Sequence, residues 1–188
     1  MDNSQQQLAG LSVAILAVNG FEQAEMTEPR KALDDAGAKT TLISMNHGQV
    51  QGFHHDQPAD KFDVQMTLEE ADPKDFDAVL LPGGVMNADQ IRTSRHAQQF
   101  VQAIDRAGKP IAVICHGSWL LISAGLAQGH KLTSWPSLQD DLRNAGAQWV
   151  DEQVVVDRNW VSSRKPADIP AFNREMLKLI ASRAHASA

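Results

Sequence analysis

Two rhythms of apolar residues alternate along the chain. Short runs rich in Val, Ile, Leu and Ala occupy residues 12–18, 40–44, 77–81 and 111–114. They are too brief for helices and predict buried β-strands. Between them, over residues 22–36 and 95–107, apolar residues recur at the spacing of one helix face. Turn residues mark the joints. Asn19-Gly20 follows the first strand, Gly37 closes the first helix, Ser94 is placed to cap the second and Gly108 to stop it.

The alternation continues towards the C-terminus. A helix is predicted directly after residue 115, and a short one over residues 137–145 ends at Gly146. Residues 154–156 and 160–163 read as a strand pair around Asp157-Arg158-Asn159. A final amphipathic helix begins near Asp168 and carries Phe172, Met176, Leu179 and Ile180 on one face. One stretch breaks the pattern: from His47-Gly48 to Asp63 the chain is polar and punctuated by glycine, which predicts a small hairpin or excursion. No internal repeat is visible. Strands alternating with helices predict an α/β fold, a mostly parallel sheet covered by helices on both faces. The whole of 1–188 reads as a single domain with its core at about 12–180.

In open parallel sheets, ligands bind at the carboxyl ends of the strands, near the point where strand order reverses. Three loops are predicted to meet at that edge. They bring Glu22 and Glu25 after the first strand, Gly83 and Gly84 after the 77–81 strand, and Cys115 with His116 after the 111–114 strand. A carboxylate source, a backbone N–H source and a nucleophile are the parts of an acyl-transfer or carbonyl-addition site. Each has a plainer reading taken alone: helix-start carboxylates stabilised by the helix dipole, a simple turn, and a small buried residue.

Composition narrows the partners. The formal net charge is −6, and Lys and Arg are scattered, so the electrostatic footprint of a nucleic-acid binder is missing. The start Met1 to Gln7 is polar, without the regions of a secretory leader, and no apolar run reaches the roughly 18 residues of a membrane span. A cytoplasmic protein is expected. Cys115 is the one cysteine in 188 residues, which excludes an internal disulfide framework.

The setting of that cysteine is distinctive. It ends the run Ile111-Ala112-Val113-Ile114 and is followed by His116-Gly117-Ser118 and the helical Trp119-Leu120-Leu121-Ile122. A thiol at such a bend meets free N–H groups and the positive end of the helix dipole, both of which favour the thiolate. An adjacent imidazole adds to the activation. Gly117 relieves crowding at a tight strand-to-helix turn, as glycines do around a nucleophile elbow.

Four ordered motifs then carry a resemblance. They are Leu81-Pro82-Gly83-Gly84, Ala112-Val113-Ile114-Cys115-His116-Gly117, Thr133-Ser134-Trp135-Pro136, and Asn159-Trp160-Val161-Ser162-Ser163-Arg164-Lys165-Pro166-Ala167-Asp168. Together they resemble the PfpI intracellular protease family of the DJ-1/PfpI superfamily, which is related to class I glutamine amidotransferases. The resemblance implies a flavodoxin-like, doubly wound three-layer sandwich and a homodimer or higher oligomer. It also implies a reactive cysteine at Cys115 joined by His116, and a carboxylate bonded to the sulfur, with Glu22 first by motif position and Glu25 close behind. PfpI-like members complete a triad with an acid of the neighbouring subunit from the loop after Pro-Gly-Gly, for which Asp89 is offered here, displaced by one position and one methylene shorter. Ser118 stands where many relatives have Pro.

The chemistry of a thiolate beside a carboxyl has two uses. It adds to an electrophilic carbonyl, with N–H groups near Gly83, Gly84, His116 and Gly117 holding the oxyanion, or it is oxidised by peroxide to a sulfenic acid. The expected function is a stress-response cysteine hydrolase, peptidase-like or acting on small carbonyl or glycated substrates. The alternative is a non-enzymatic oxidative-stress sensor or chaperone switched at the same cysteine. No cofactor and no metal is expected, since His47, His54, His55 and Asp56 lie in the polar excursion without a ligand spacing. Trp135 is the tryptophan placed to line the pocket. Arg164 either positions an acidic substrate or pairs with Asp168.

Overall fold

The computed structural model describes residues 6–186. Part of the polar N-terminal stretch, residues 1–5, and residues 187–188 lie outside the described residues. The first half of the chain runs β1 (Ser12–Leu16), β2 (Phe21–Glu22), α1 (Gln23–Asp35), β3 (Lys39–Ser44), β4 (Gln49–His54), β5 (Gln57–Asp63), β6 (Met66–Thr67) and β7 (Ala78–Leu81). Next come α2 (Val85–Ile91), α3 (Arg95–Arg106), β8 (Ile111–Ile114), α4 (Ser118–Ser123) and β9 (Lys131–Leu132). The chain closes with α5 (Gln139–Asn144), β10 (Gln148–Trp149), β11 (Val154–Asp157), β12 (Trp160–Ser163) and α6 (Ile169–Ala186).

The seven-stranded sheet has the order β11-β12-β8-β7-β1-β3-β6, parallel except for the β11–β12 pair. Without the two edge strands, the strands stand in the order second, first, third, fourth, fifth, which is the flavodoxin-like winding. Both faces of each central strand are apolar because both are covered. In β1, Val13 and Ile15 face a core completed by Met26 and Leu33 of α1 and by Phe172 and Met176 of α6. Ala14 and Leu16 face the opposite core, completed by Phe100, Val101 and Ile104 of α3 and by Leu120 and Leu121 of α4. Three layers follow directly from that alternation.

Local chemistry sets the joints. Ser94 Oγ accepts from Ala97 N at the start of α3, as its position predicts. The polar excursion is a hairpin, β4 antiparallel to β5, attached to the main body through the parallel pair β2–β4. Several features lie beyond the periodicity: α2, a short helix after the Gly-Gly turn, the small pair β9–β10, and the two-residue strands β2 and β6. The predicted first strand is shorter than expected, ending at Leu16: Ala17 N still donates to Ile43 O of β3, but Val18 N is taken by the side chain of Asn87.

Candidate active site

Strand order reverses at β1, between β3 and β7, but the crevice there is closed. Glu22 N donates to Gly83 O at 3.3 Å, and Val18 N donates to the buried side chain of Asn87 at 2.8 Å. The open pocket, about 310 Å³, lies beside it at the end of β8. Its buried lining is Glu25, Cys115 and His116; its outer lining includes Glu22, His55, Asp56, Val85, Trp135 and Pro166.

Cys115 is the elbow. Its φ of 60° is a left-handed conformation that a side chain adopts at a cost of order 1–3 kcal/mol. The chain leaves β8 there and enters a single 3₁₀ turn, Cys115–Gly117, ahead of α4. Close approach requires glycine on both sides of the sulfur. A Cβ on Gly83 would sit 2.6 Å from Cys115 Cβ and also strike the Glu25 carboxyl. A Cβ on Gly117 would sit 2.7 Å from Leu81 O.

The two candidate carboxylates part ways. Glu25, on the first turn of α1, is fully buried against the thiol, and its Oε2 accepts from Gly83 N at 2.8 Å. Glu22 instead turns outward to the hairpin tip, where its Oε2 accepts from His55 N at 3.0 Å. The expected order is therefore reversed, and the reason is helical phase: Glu22 is the residue before α1, whereas Glu25 lies on the face that α1 turns to the sheet. Burial pushes the Glu25 carboxyl up to about 8, so it holds its proton at neutral pH. Its Oε1 has no hydrogen-bond partner among the described residues, and the carboxyl as a whole lies against the Cys115 thiol.

Burial also acts on Cys115, which is only 6% exposed. That burial, followed by the charge of Glu25 when ionised, pushes the thiol well above its ordinary range, while the N–H groups of Gly84 and His116 pull it down. A desolvation cost thus opposes the helix-start stabilisation expected from sequence. While Glu25 keeps its proton, its charge exerts no repulsion and its O–H is a donor for the thiolate. His116 Nδ1 lies 3.2 Å from Sγ, and burial lowers the imidazole below its ordinary range, leaving it neutral and able to take a proton. Its ring packs edge-on to Trp119 at 5.3 Å and stacks on Trp135 at 5.8 Å.

The remaining expectations sort themselves by geometry. Trp135 is 38% exposed and lines the pocket. The N–H of Gly83 is committed to Glu25, and Gly117 is packed behind the elbow on Leu81 O and Pro82 O, so the donors facing the sulfur are those of Gly84 and His116. Asp89 is exposed on α2 and is not part of the pocket lining of its own chain. Arg164 is occupied by Asp168, at 2.8 and 3.1 Å, and by Asp151 at 2.8 Å. His55 and Asp56, set aside in sequence as a solvated loop, reach the pocket because the hairpin folds back over α1; only their chain distance hid them. His47 pairs with Glu70 at 3.1 Å instead.

Comparison with known proteins identifies the family and the fold. Residues 11–179 match the model of the DJ-1/PfpI family. The chain is 41% identical over 170 residues to "Deglycase PH1704" of Pyrococcus horikoshii, covering 90% of this chain and 99% of the relative. It is 41% identical over 173 residues to "General stress protein 18" of Bacillus subtilis, covering 91% and 98%. Among solved structures, Drosophila melanogaster DJ-1beta superposes with a TM-score of 0.82 at 29% identity, over 91% of this chain and 90% of that one. With the fold, the motifs and the extent of these matches in agreement, the chain belongs to the DJ-1/PfpI family.

Proposed function

We propose that this member of a stress-related enzyme family acts through Cys115 as a nucleophile on carbonyl carbon, with small carbonyl compounds or glycated groups as substrates and hydrolysis as the outcome. The observation that carries this reading is the buried, protonated Glu25 set against the Cys115 thiol at a strained elbow with two N–H donors. The name deglycase on a relative covering nearly all of the chain supports the substrate class. In this reading the thiol proton passes to His116 Nδ1, and the sulfur forms a bond to the carbonyl carbon as the C=O π pair moves onto oxygen. The N–H groups of Gly84 and His116 receive that charge. On an ester or amide, His116 returns the proton to the departing group. On an α-oxoaldehyde, which has none, it returns the proton to the oxygen to give a hemithioacetal, whose C–H proton then moves to the neighbouring carbonyl carbon. Either route leaves a thioester. Water then releases the product and restores the thiol.

Assembly is part of the same proposal. α2 exposes Val85 (53%) and Met86 (46%) beside the pocket, with Asp89 on the same helix. A homodimer through α2 covers these apolar residues and carries Asp89 towards the partner's pocket, where a carboxylate orients an imidazole.

The test is turnover of methylglyoxal and of peptide esters by the wild type and by Cys115→Ser. Loss by more than about a thousandfold is expected. Turnover that survives the substitution would remove Cys115 from the chemistry, and a wild type without turnover whose holdase activity is changed by peroxide, a change absent in Cys115→Ser, would support the non-enzymatic alternative.

A further inference from the structure

Asn87 lies outside the pocket, on the first turn of α2, and is 1% exposed. Its carboxamide makes three hydrogen bonds: Oδ1 accepts from Val18 N at 2.8 Å, and Nδ2 donates to Pro82 O at 3.2 Å and to Gly83 O at 3.0 Å. Two donors and one acceptor are what these three backbone groups need, and among side chains of this size only an amide supplies them.

Those bonds determine where two other groups point. In a trans peptide the C=O and the following N–H lie in one plane and face opposite ways, and no described peptide bond is cis. Holding Pro82 O on Asn87 turns the N–H of Gly83 the other way, onto Glu25 Oε2 at 2.8 Å. Holding Gly83 O on Asn87, with Glu22 N as second donor at 3.3 Å, turns the N–H of Gly84 onto the Cys115 sulfur. Glycines have no side chain to hold these planes, and neighbouring peptides in such a loop rotate readily.

We propose that Asn87 is a positioning residue of the reactive centre, whose carboxamide fixes two peptide planes so that the N–H groups of Gly83 and Gly84 face the Glu25 carboxyl and the Cys115 sulfur. The bond from Val18 N also ties this loop to the end of β1, so the strand before the carboxyl and the strand before the glycines share one pin. The inference rests on Cys115 being the reactive centre.

The test compares wild type with Asn87→Asp and Asn87→Ala. The first keeps an acceptor for Val18 N but sets an oxygen against two carbonyls; the second removes all three bonds. Two readouts apply: the pH profile of Cys115 alkylation by iodoacetamide, and amide exchange of Gly83 and Gly84. With the Gly84 donor turned away, the thiolate loses a hydrogen bond. The alkylation midpoint is expected to rise by about one pH unit, making alkylation below the midpoint about tenfold slower. Gly83 and Gly84 are expected to lose exchange protection, and kcat to fall with KM little changed. Ser94→Ala, which loosens α3 away from the pocket, is expected to leave the profile in place.

Folded variants with the wild-type midpoint and protected glycines overturn the inference. So does failure of both variants to fold, which assigns Asn87 to the fold alone. A wild type without turnover that still shows the alkylation contrast sinks the enzyme proposal and leaves the positioning role standing.

Discussion

Glu25 ties the stability of the protein to pH as well as serving the sulfur. Its carboxyl ionises at an ordinary 4.5 in the unfolded chain and at about 8 in the folded one. The folded state therefore binds the proton more tightly. The favourable balance is fully present below pH 4.5 and is lost as pH rises to about 8, a loss of roughly 3 to 5 kcal/mol. Glu25→Gln keeps the shape without the ionisation. Its stability in urea is expected to match wild type near pH 5 and to exceed it by about 2 to 4 kcal/mol at pH 8; an equal gap at both pH values would mean that the folded carboxyl is already ionised. The same substitution removes the carboxylate charge that raises the thiol once Glu25 is ionised, so the alkylation midpoint of Cys115 is expected to fall. A midpoint that stays in place would break the proposed carboxyl–thiolate coupling.

At the scale of elements, the hairpin β4–β5 is held by the β2–β4 pair and by side chains at and just before the α1 start. Gln23 Nε2 donates to Asp60 at 2.7 Å, Gln23 Oε1 accepts from Asp60 N at 2.8 Å, and Glu22 accepts from His55 N. His55 at the tip has φ 58°, a region glycine enters freely. His55→Gly is expected to leave the unfolding midpoint within about 1 kcal/mol of wild type, because relief of that conformation offsets the added freedom of the unfolded chain. Any change in KM then belongs to the imidazole at the pocket mouth.

The strands and helices around the central sheet were legible because their period is local: Ile111 to Ile114 announces a buried strand, and Ser94 announces a helix start. The elbow was legible for the same reason, since thiol, imidazole and glycine are consecutive. What stayed hidden depends on contacts distant in sequence. Glu22 and Glu25 could not be ordered without the rotation of α1, and His55 is sixty residues from Cys115 until the hairpin folds over. The desolvation of Cys115 arises from loops that the run Ile111 to Ile114 does not mention. α2 was missed because its apolar positions are few and two of them, Val85 and Met86, face outward.

Across the molecule, the sheet separates two cores and the pocket opens where the elbow leaves it, beside the exposed start of α2. A dimer through α2 predicts that Met86→Asp shifts sedimentation towards the monomer while Cys115 alkylation persists, and that Asp89→Asn lowers kcat in the assembled form by about 10- to 100-fold. A sedimentation coefficient unmoved by Met86→Asp would place the interface elsewhere or remove it.

The hairpin has a different kind of consequence. It enters the apolar interior chiefly through Val50 and Phe62, and no strand of the main sheet pairs with it. Its length and tip can therefore change by descent without disturbing the bend at Cys115. Chains that share this elbow but differ between residues 49 and 63 are expected to keep one chemistry and diverge in what they admit to it, so substrate range and reaction are inherited on separate parts of the chain.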